Sequence, residues 1–265
     1  MEDLSKYNPE GSELRVIQLR MLDILLKIDA FCKQYGINYW LEGGTMLGAV
    51  RHGGFIPWDD DLDIGMDRRD YLKFKKLFLA NPISGFHLQC HKTDKAYVAG
   101  YAKVREKSSI YIENNETEHY KYNGIYVDIF PYEESFPIFI DCSIFIHRVL
   151  FLLTRSKIYG CFFIKLFVNI YFYFTQIVYW VFRFFSRICR AKSYCYTYGS
   201  WLSSKLKYEK KYFFPLGIIN FEGREFPCPC DKDTYLKVHY GEYMKIPAKS
   251  SRRIHRSKVI LLDNK

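Results

Sequence analysis

Apolar side chains return every three or four positions from Leu14 to Cys32, through Ile17, Met21, Leu25 and Ile28. This period predicts one amphipathic helix over residues 13–35, with Gly36 as its stop. Ile37 to Leu41 reads as a short strand ending in Gly43-Gly44-Thr45. A helical turn from Met46 to Arg51 follows, then a loop carrying Gly53-Gly54 and Pro57. Leu62 to Met66 reads as a second strand. Asp67 is placed to cap a helix reaching about Phe78, with Tyr71, Phe74 and Phe78 on one face. Strand-like stretches follow at 86–90, 97–105, 108–113 and 124–130. Several strands with helices outside them predict an α+β domain, a mixed sheet with flanking helices.

From 136 the pattern changes. Residues 136–192 hold Asp141 as their only acid, eight basic residues and a dense run of Phe, Tyr, Ile, Leu and Val. Between Lys165 and Arg183 lie 17 consecutive uncharged residues, at the lower limit of a membrane span, although Asn169, Thr175 and Gln176 interrupt them. Basic residues flank the run on both sides and give no orientation. An in-plane interfacial helix or hairpin fits best, with aromatics in the lipid boundary and Lys and Arg at headgroups. A helical pair packed on the core and a true span are the alternatives. Beyond Lys192 a polar, Tyr-rich stretch leads to a hairpin from Ile218 to Pro227 with a Glu222-Gly223 turn. A helix is expected from Asp231 to Tyr243, with a break at Tyr240-Gly241, and the basic tail has no clear order. The organisation is thus a core of strands and helices over 1–135, an aromatic basic helical insert over 136–192, and a C-terminal part over 193–265.

Composition sharpens this picture in two places. The chain of 265 residues carries a net charge of +10, yet residues 1–135 are net −4 and residues 136–265 net +14. A basic half implies a polyanionic partner: anionic lipid, nucleic acid or a phosphorylated substrate. The eight cysteines suggest disulfides, but the acidic N-terminal segment lacks the basic and apolar regions of an export signal, so reduced thiols in a cytoplasmic chain are expected. Cys228 and Cys230 stand one residue too close for the usual zinc pair.

The candidate chemistry lies in the first half. On a strand, side chains two apart share a face, so Asp61 and Asp63 project together and repel unless a cation sits between them. A hard divalent cation such as Mg²⁺ takes oxygen ligands of this kind. Asp128, in Tyr126-Val127-Asp128-Ile129, is a carboxylate in an apolar run and is costly there unless it faces a site. Gly44 and Thr45 at a strand end could present backbone N–H groups and a hydroxyl to phosphate, with Arg51 just downstream. Each piece alone also has an ordinary reading: a solvated acidic turn, a plain glycine turn, a carboxylate capping an amide. Their conjunction and order favour a site.

That order resembles the nucleotidyltransferase superfamily pattern of a glycine turn, an acidic pair on a strand and a third acid on a later strand. The stretch from Gly44 through Arg51-His52-Gly53-Gly54-Phe55-Ile56-Pro57-Trp58-Asp59-Asp60-Asp61 to Ile64 resembles the LicD family signature more specifically. Arg69-Asp70-Tyr71, Lys103-Val104-Arg105, Asp128-Ile129-Phe130-Pro131, Phe221 to Pro227 and Tyr240 to Met244 follow in family order. The resemblance covers roughly residues 13–135 and 215–247. It implies a nucleotidyltransferase-like fold and a phosphotransferase that moves a phosphorylated alcohol, often phosphocholine, from a CDP-alcohol donor to a glycan or lipid-linked glycan acceptor. Asp61, Asp63 and Asp128 would bind Mg²⁺ or Mn²⁺, with Asp128 helping to deprotonate the acceptor hydroxyl. Gly44 and Thr45 would hold the donor phosphates, with Arg51, Lys103 and Arg105 neutralising the pyrophosphate. The expected setting is the cytoplasmic face of an anionic membrane, without nucleic acid. A nucleotidyltransferase moving NMP from an NTP is the rival enzyme; a basic membrane or nucleic-acid adaptor is the non-enzymatic alternative.

Overall fold

The computed structural model describes residues 3–113, 118–200, 206–252 and 256–262. Helix α1 (Glu13–Tyr35) spans the range its apolar period predicts; Ser12 accepts from the Arg15 N–H at its start, and Gly36 ends it with φ 58°. Strand β1 (Trp40–Leu41), helix α2 (Gly43–His52), strand β2 (Asp63–Asp67) and helix α3 (Arg68–Ala80) follow. Next come β3 (Phe86–Gln89), β4 (Ala102–Glu106), β5 (Ser109–Glu113) and the long β6 (Tyr126–Ser135). Helices α4 (Pro137–Thr154) and α5 (Phe162–Ile188) precede β7 (Ser193–Tyr196), the hairpin β8 (Gly217–Phe221) and β9 (Arg224–Cys228), helix α6 (Lys232–Tyr240) and β10 (Arg256–Leu261).

The main sheet runs β1-β2-β6-β4-β3, and β7 pairs with the far half of β6. β2 and β6 are parallel; the other pairs in this sheet are antiparallel. This is the expected α+β class. The buried face of α1 (Ile17, Met21, Leu25, Ile28) joins Val104, Val127 and Ile129 in one core. The C-terminal part returns to that core: Trp40 and Tyr132 lie 5.4 Å apart, and Phe213 sits 5.0 Å from Trp40 and 5.6 Å from Tyr235.

Three expectations change. Gly43 and Gly44 form the first turn of α2 instead of a loop before it. The strand expected over 97–105 shortens to β4, because Gly100 passes close to the backbone of the chain after β7 and bonds to Gly199 O (3.0 Å). The tail expected to lack order contributes β10, antiparallel to β5; its pairing partner lies more than a hundred residues away, beyond the reach of a local pattern. Residues 253–255 and 263–265 of that tail lie outside the described residues. All eight cysteines are free thiols.

The insert is a pair of helices. Leu150, Phe151 and Val168 pack with Ala96 and Val98; Ile140 and Tyr179 pack with Cys195 and Tyr198. Val168, Thr175, Tyr179 and Ser186 are buried and share one face of α5 along most of its length. Phe163, Leu166, Ile170, Phe174, Ile177, Val181, Phe184 and Ile188 return at threes and fours on the other face, and all are exposed.

Candidate active site

Residues of β2 and β6 form the floor of the site. Asp63 pairs in register with Asp128, so the two carboxylates start from adjacent strands, about 4.8 Å apart. Asp61 lies just before β2. The Asp63 N–H donates to Thr45 Oγ1 (2.8 Å), and the Glu42 N–H donates to Asp63 O (3.1 Å), which ties the start of β2 to the start of α2. The first turn of α2 abuts the acids. A Cβ on Gly44 would sit 3.0 Å from Asp59 Oδ2, and one on Gly43 would sit 3.4 Å from Asp63 Oδ2. First-turn N–H groups have no partner within their helix, so this end of α2 is suited to an anion.

The acids stand in each other's field. Burial pushes the Asp63 carboxyl well above its ordinary value, and Asp61, Asp128, Asp59 and Glu42 push it further. Burial raises Asp128 to about 7, against the pull of Lys103 and with a further push from Glu113 and Asp61. Lys103 Nζ lies 3.1 Å from Asp128 Oδ1 and 3.1 Å from Glu113 Oε2, with Tyr126 beneath it. Burial opposes the charge on Glu113, yet Lys103 and Arg105 hold its carboxyl down to about 2.

The donor set is all oxygen and suits a hard divalent cation such as Mg²⁺ or Mn²⁺. Among the described residues no three acidic, histidine or cysteine side chains form a finished ligand set. Without a cation, mutual repulsion opposes such a set, and Lys103 engages Asp128. Of the three acids expected to hold such an ion, Asp63 and Asp128 stand in register on β2 and β6, and Asp61 precedes β2.

The expected cations separate. Lys103 reaches the site. Arg105 is fully buried, with Nε on Gln89 Oε1 (2.6 Å), Nη1 on Gly124 O (2.9 Å) and Nη2 3.5 Å from Glu113. It braces Glu113 one layer behind Asp128. Arg51 Nη1 donates to Tyr243 O (2.9 Å) and links α2 to the segment after α6. Thr45 positions Asp63 through the bond to its oxygen.

Two residues with no expected role complete the surroundings. Glu42, 1% exposed, accepts from Trp40 Nε1 (2.7 Å) and from the hydroxyls of Tyr132 (2.7 Å), Tyr196 (2.6 Å) and Tyr235 (2.5 Å). Tyr235 also accepts from the Gly43 N–H (2.8 Å). Tyr240 stands at the rim, 3.7 Å from where a Gly43 Cβ would lie. Burial, then Asp63, Glu42, Asp59 and Asp61, raises its hydroxyl, which therefore keeps its proton as a donor. An acid directly before Gly43-Gly44 was the available signal for Glu42. Tyr240 was marked only as the start of the Tyr240 to Met244 match and of a helix break, with no role attached.

Gly44→Val is expected to raise KM for a phosphate donor by about 10-fold or more, with a smaller effect on melting temperature. Its side chain would occupy the space between the amides of α2 and Asp59. Steady-state kinetics alongside thermal unfolding checks this.

Residues 36–159 match the family described as LicD/FKTN/FKRP, nucleotidyltransferase domain. The chain is 29% identical to the lipopolysaccharide cholinephosphotransferase LicD of Haemophilus influenzae, over 91% of this chain and 95% of that protein. It is 34% identical to the human ribitol 5-phosphate transferase FKRP over 34% of this chain and 18% of that protein. It is 32% identical to the mouse ribitol-5-phosphate transferase FKTN over 26% and 15% respectively. With the acidic floor and the helix start where that domain match falls, residues 36–159 are similar to the LicD/FKTN/FKRP domain, and the chain is a phosphotransferase enzyme.

Proposed function

We propose that the protein moves a phosphorylated alcohol, phosphocholine or a related group, from a CDP-activated donor to a hydroxyl of a surface or lipid-linked glycan. The observation that carries this reading is the register of Asp63 with Asp128 beside the first turn of α2. Mg²⁺ or Mn²⁺ held by Asp61, Asp63 and Asp128 would neutralise charge on the donor pyrophosphate. The Gly44 and Thr45 amides orient the phosphates, and Tyr240 adds a donor at the rim. Asp128 accepts the proton of the acceptor hydroxyl. The acceptor oxygen bonds to the phosphorus bearing the alcohol, the bond from that phosphorus to the bridging oxygen breaks, and CMP leaves.

The same reading places the enzyme on the cytoplasmic face of a membrane, peripherally. The exposed apolar stripe of α5 would be covered by lipid. The opposite face is held to the core along its length, which supports lying in the interface over crossing it. Arg183 is not a headgroup contact, as its position in the run had suggested: it is paired with Glu133 through Nε (2.7 Å) and Nη2 (2.9 Å). Arg187 and Arg190, beyond it, are exposed.

A panel of CDP-alcohols with Mg²⁺, with and without glycan acceptors, tests the reaction. Acceptor-dependent CMP release is expected. Pyrophosphate release from an NTP, with no CMP from any CDP-alcohol, would instead establish a nucleotidyltransferase.

A further inference from the structure

Two cavities meet along the flank of α5. The inner one, of about 280 Å³, lies between α3, the 90–101 segment and α5. Its walls carry Arg68, Lys75, Lys92 and Arg183, and no acidic side chain. The Tyr101 ring on its wall packs 4.6 Å from that of Phe130 in β6, two residues along the strand from Asp128. The outer cavity, of about 950 Å³, shares Arg68, Leu72 and Arg183 with the first. It adds Arg69, Arg187, Arg190, Lys192, Lys210 and Lys211 against Asp67, Glu133, Glu134 and Glu209.

The cations are crowded. Burial and then Arg183 lower the pKa of Arg68, Glu133 at 3.7 Å opposes them, and Arg187 lowers it further. Lys75, mostly enclosed, faces Arg68 and Lys92 instead of a carboxylate. Some of the charge is committed: Arg183 and Arg68 to Glu133, Lys210 to Asp67 at 3.3 Å and Lys211 to Glu209 at 2.7 Å. Among the described residues, Lys75, Lys92 and Arg187 have no carboxylate within ion-pair distance. Such an arrangement is stabilised by an anion.

The position of these cavities decides what kind of anion. Tyr173, 51% exposed, lines the inner cavity and also borders the apolar stripe. Arg187 lies on the same flank, next to exposed Phe184 and Ile188. A molecule with a phosphate head and an apolar tail can place the head among the cations and keep the tail under α5. We infer that the two cavities form a binding site for the phosphate headgroup of a membrane lipid, running from the apolar stripe of α5 towards Tyr101. This inference rests on the membrane-surface reading of α5 and gives that surface a specific site.

The test uses the full chain with vesicles of phosphatidylcholine alone and with added phosphatidate, measured by flotation. Wild type is expected to bind both and to favour phosphatidate. The triple variant Lys75→Gln, Lys92→Gln, Arg187→Gln is expected to reduce that preference by about 100-fold, at about fivefold per cation, and to keep its binding to neutral vesicles. Its circular dichroism should match wild type. A control variant, Arg224→Gln, Lys232→Gln, Lys245→Gln, carries the same charge change elsewhere and should keep the preference. Equal losses in both variants would mean diffuse attraction and overturn the site. Equal binding of wild type to both vesicles would overturn the site and leave the docking reading standing, whereas no binding to either would remove both. Stabilisation by inorganic pyrophosphate without vesicles, abolished in the first variant, would assign the site to a soluble phosphate and overturn the lipid.

Discussion

Asp63→Asn is expected to lower transfer by about 10³-fold while the fold survives. Asp63 is the acid on which the others converge: Asp128 is in register with it, and Asp61, Asp59 and Glu42 all oppose its charge. Removing an anionic ligand from a hard-cation site weakens ion binding and transition-state charge neutralisation together. It also removes a buried, repelled charge, so the metal-free variant should unfold at a temperature no lower than wild type. Asp128 adds a pH signature. Its carboxyl titrates near 7 in the folded chain against an ordinary 3.8. Between those values the folded state keeps a proton that the unfolded chain has released. Metal-free stability should therefore fall as pH rises across this window and level off above it. Asp128→Asn should flatten the slope. Near-normal turnover of Asp63→Asn would remove the site assignment, and urea titrations across pH check the second expectation.

Glu42→Leu is expected to prevent folding. Four donors lose their acceptor at once: the Trp40 indole and the hydroxyls of Tyr132, Tyr196 and Tyr235. Each stranded buried donor costs about 1–3 kcal/mol, and the sum reaches the net stability of about 5–15 kcal/mol typical of a folded protein. Glu42→Gln is the informative companion. Its carbonyl can still serve the three tyrosines, but its amide faces the Trp40 N–H donor to donor, for a loss of about 1–3 kcal/mol. Because Tyr235 also accepts from the Gly43 N–H, this variant should lower activity beyond its effect on stability. Urea unfolding followed by Trp fluorescence measures the first effect; stability within about 0.5 kcal/mol of wild type would mean that the cage contributes little.

The parts legible from the sequence were those with a local period. α1 matched from end to end because its buried face repeats over six turns, whereas of the two acids expected to alternate on one strand only Asp63 lies on β2 and Asp61 precedes it. The cage around Glu42 was not legible, since its tyrosines come from β6, β7 and α6 and only the folded chain brings them together. Lys103 and Arg105 are equivalent by alternation, yet one reaches Asp128 and the other is sealed behind Glu113; the depth of the sheet decides that, not spacing. In the same way, hydropathy marked α5 as apolar, while only its packing revealed which face the core takes and which it leaves exposed.

The proposed transfer requires Asp61, Asp63 and Asp128 to hold a divalent ion. Anomalous scattering from crystals soaked in Mn²⁺ and a CDP-alcohol tests it most directly. Density among these three carboxylates, beside the first turn of α2 and lost in Asp63→Asn, is the expected result. Mn²⁺ bound elsewhere, or none at this floor while the crystals still turn over the donor, would contradict it.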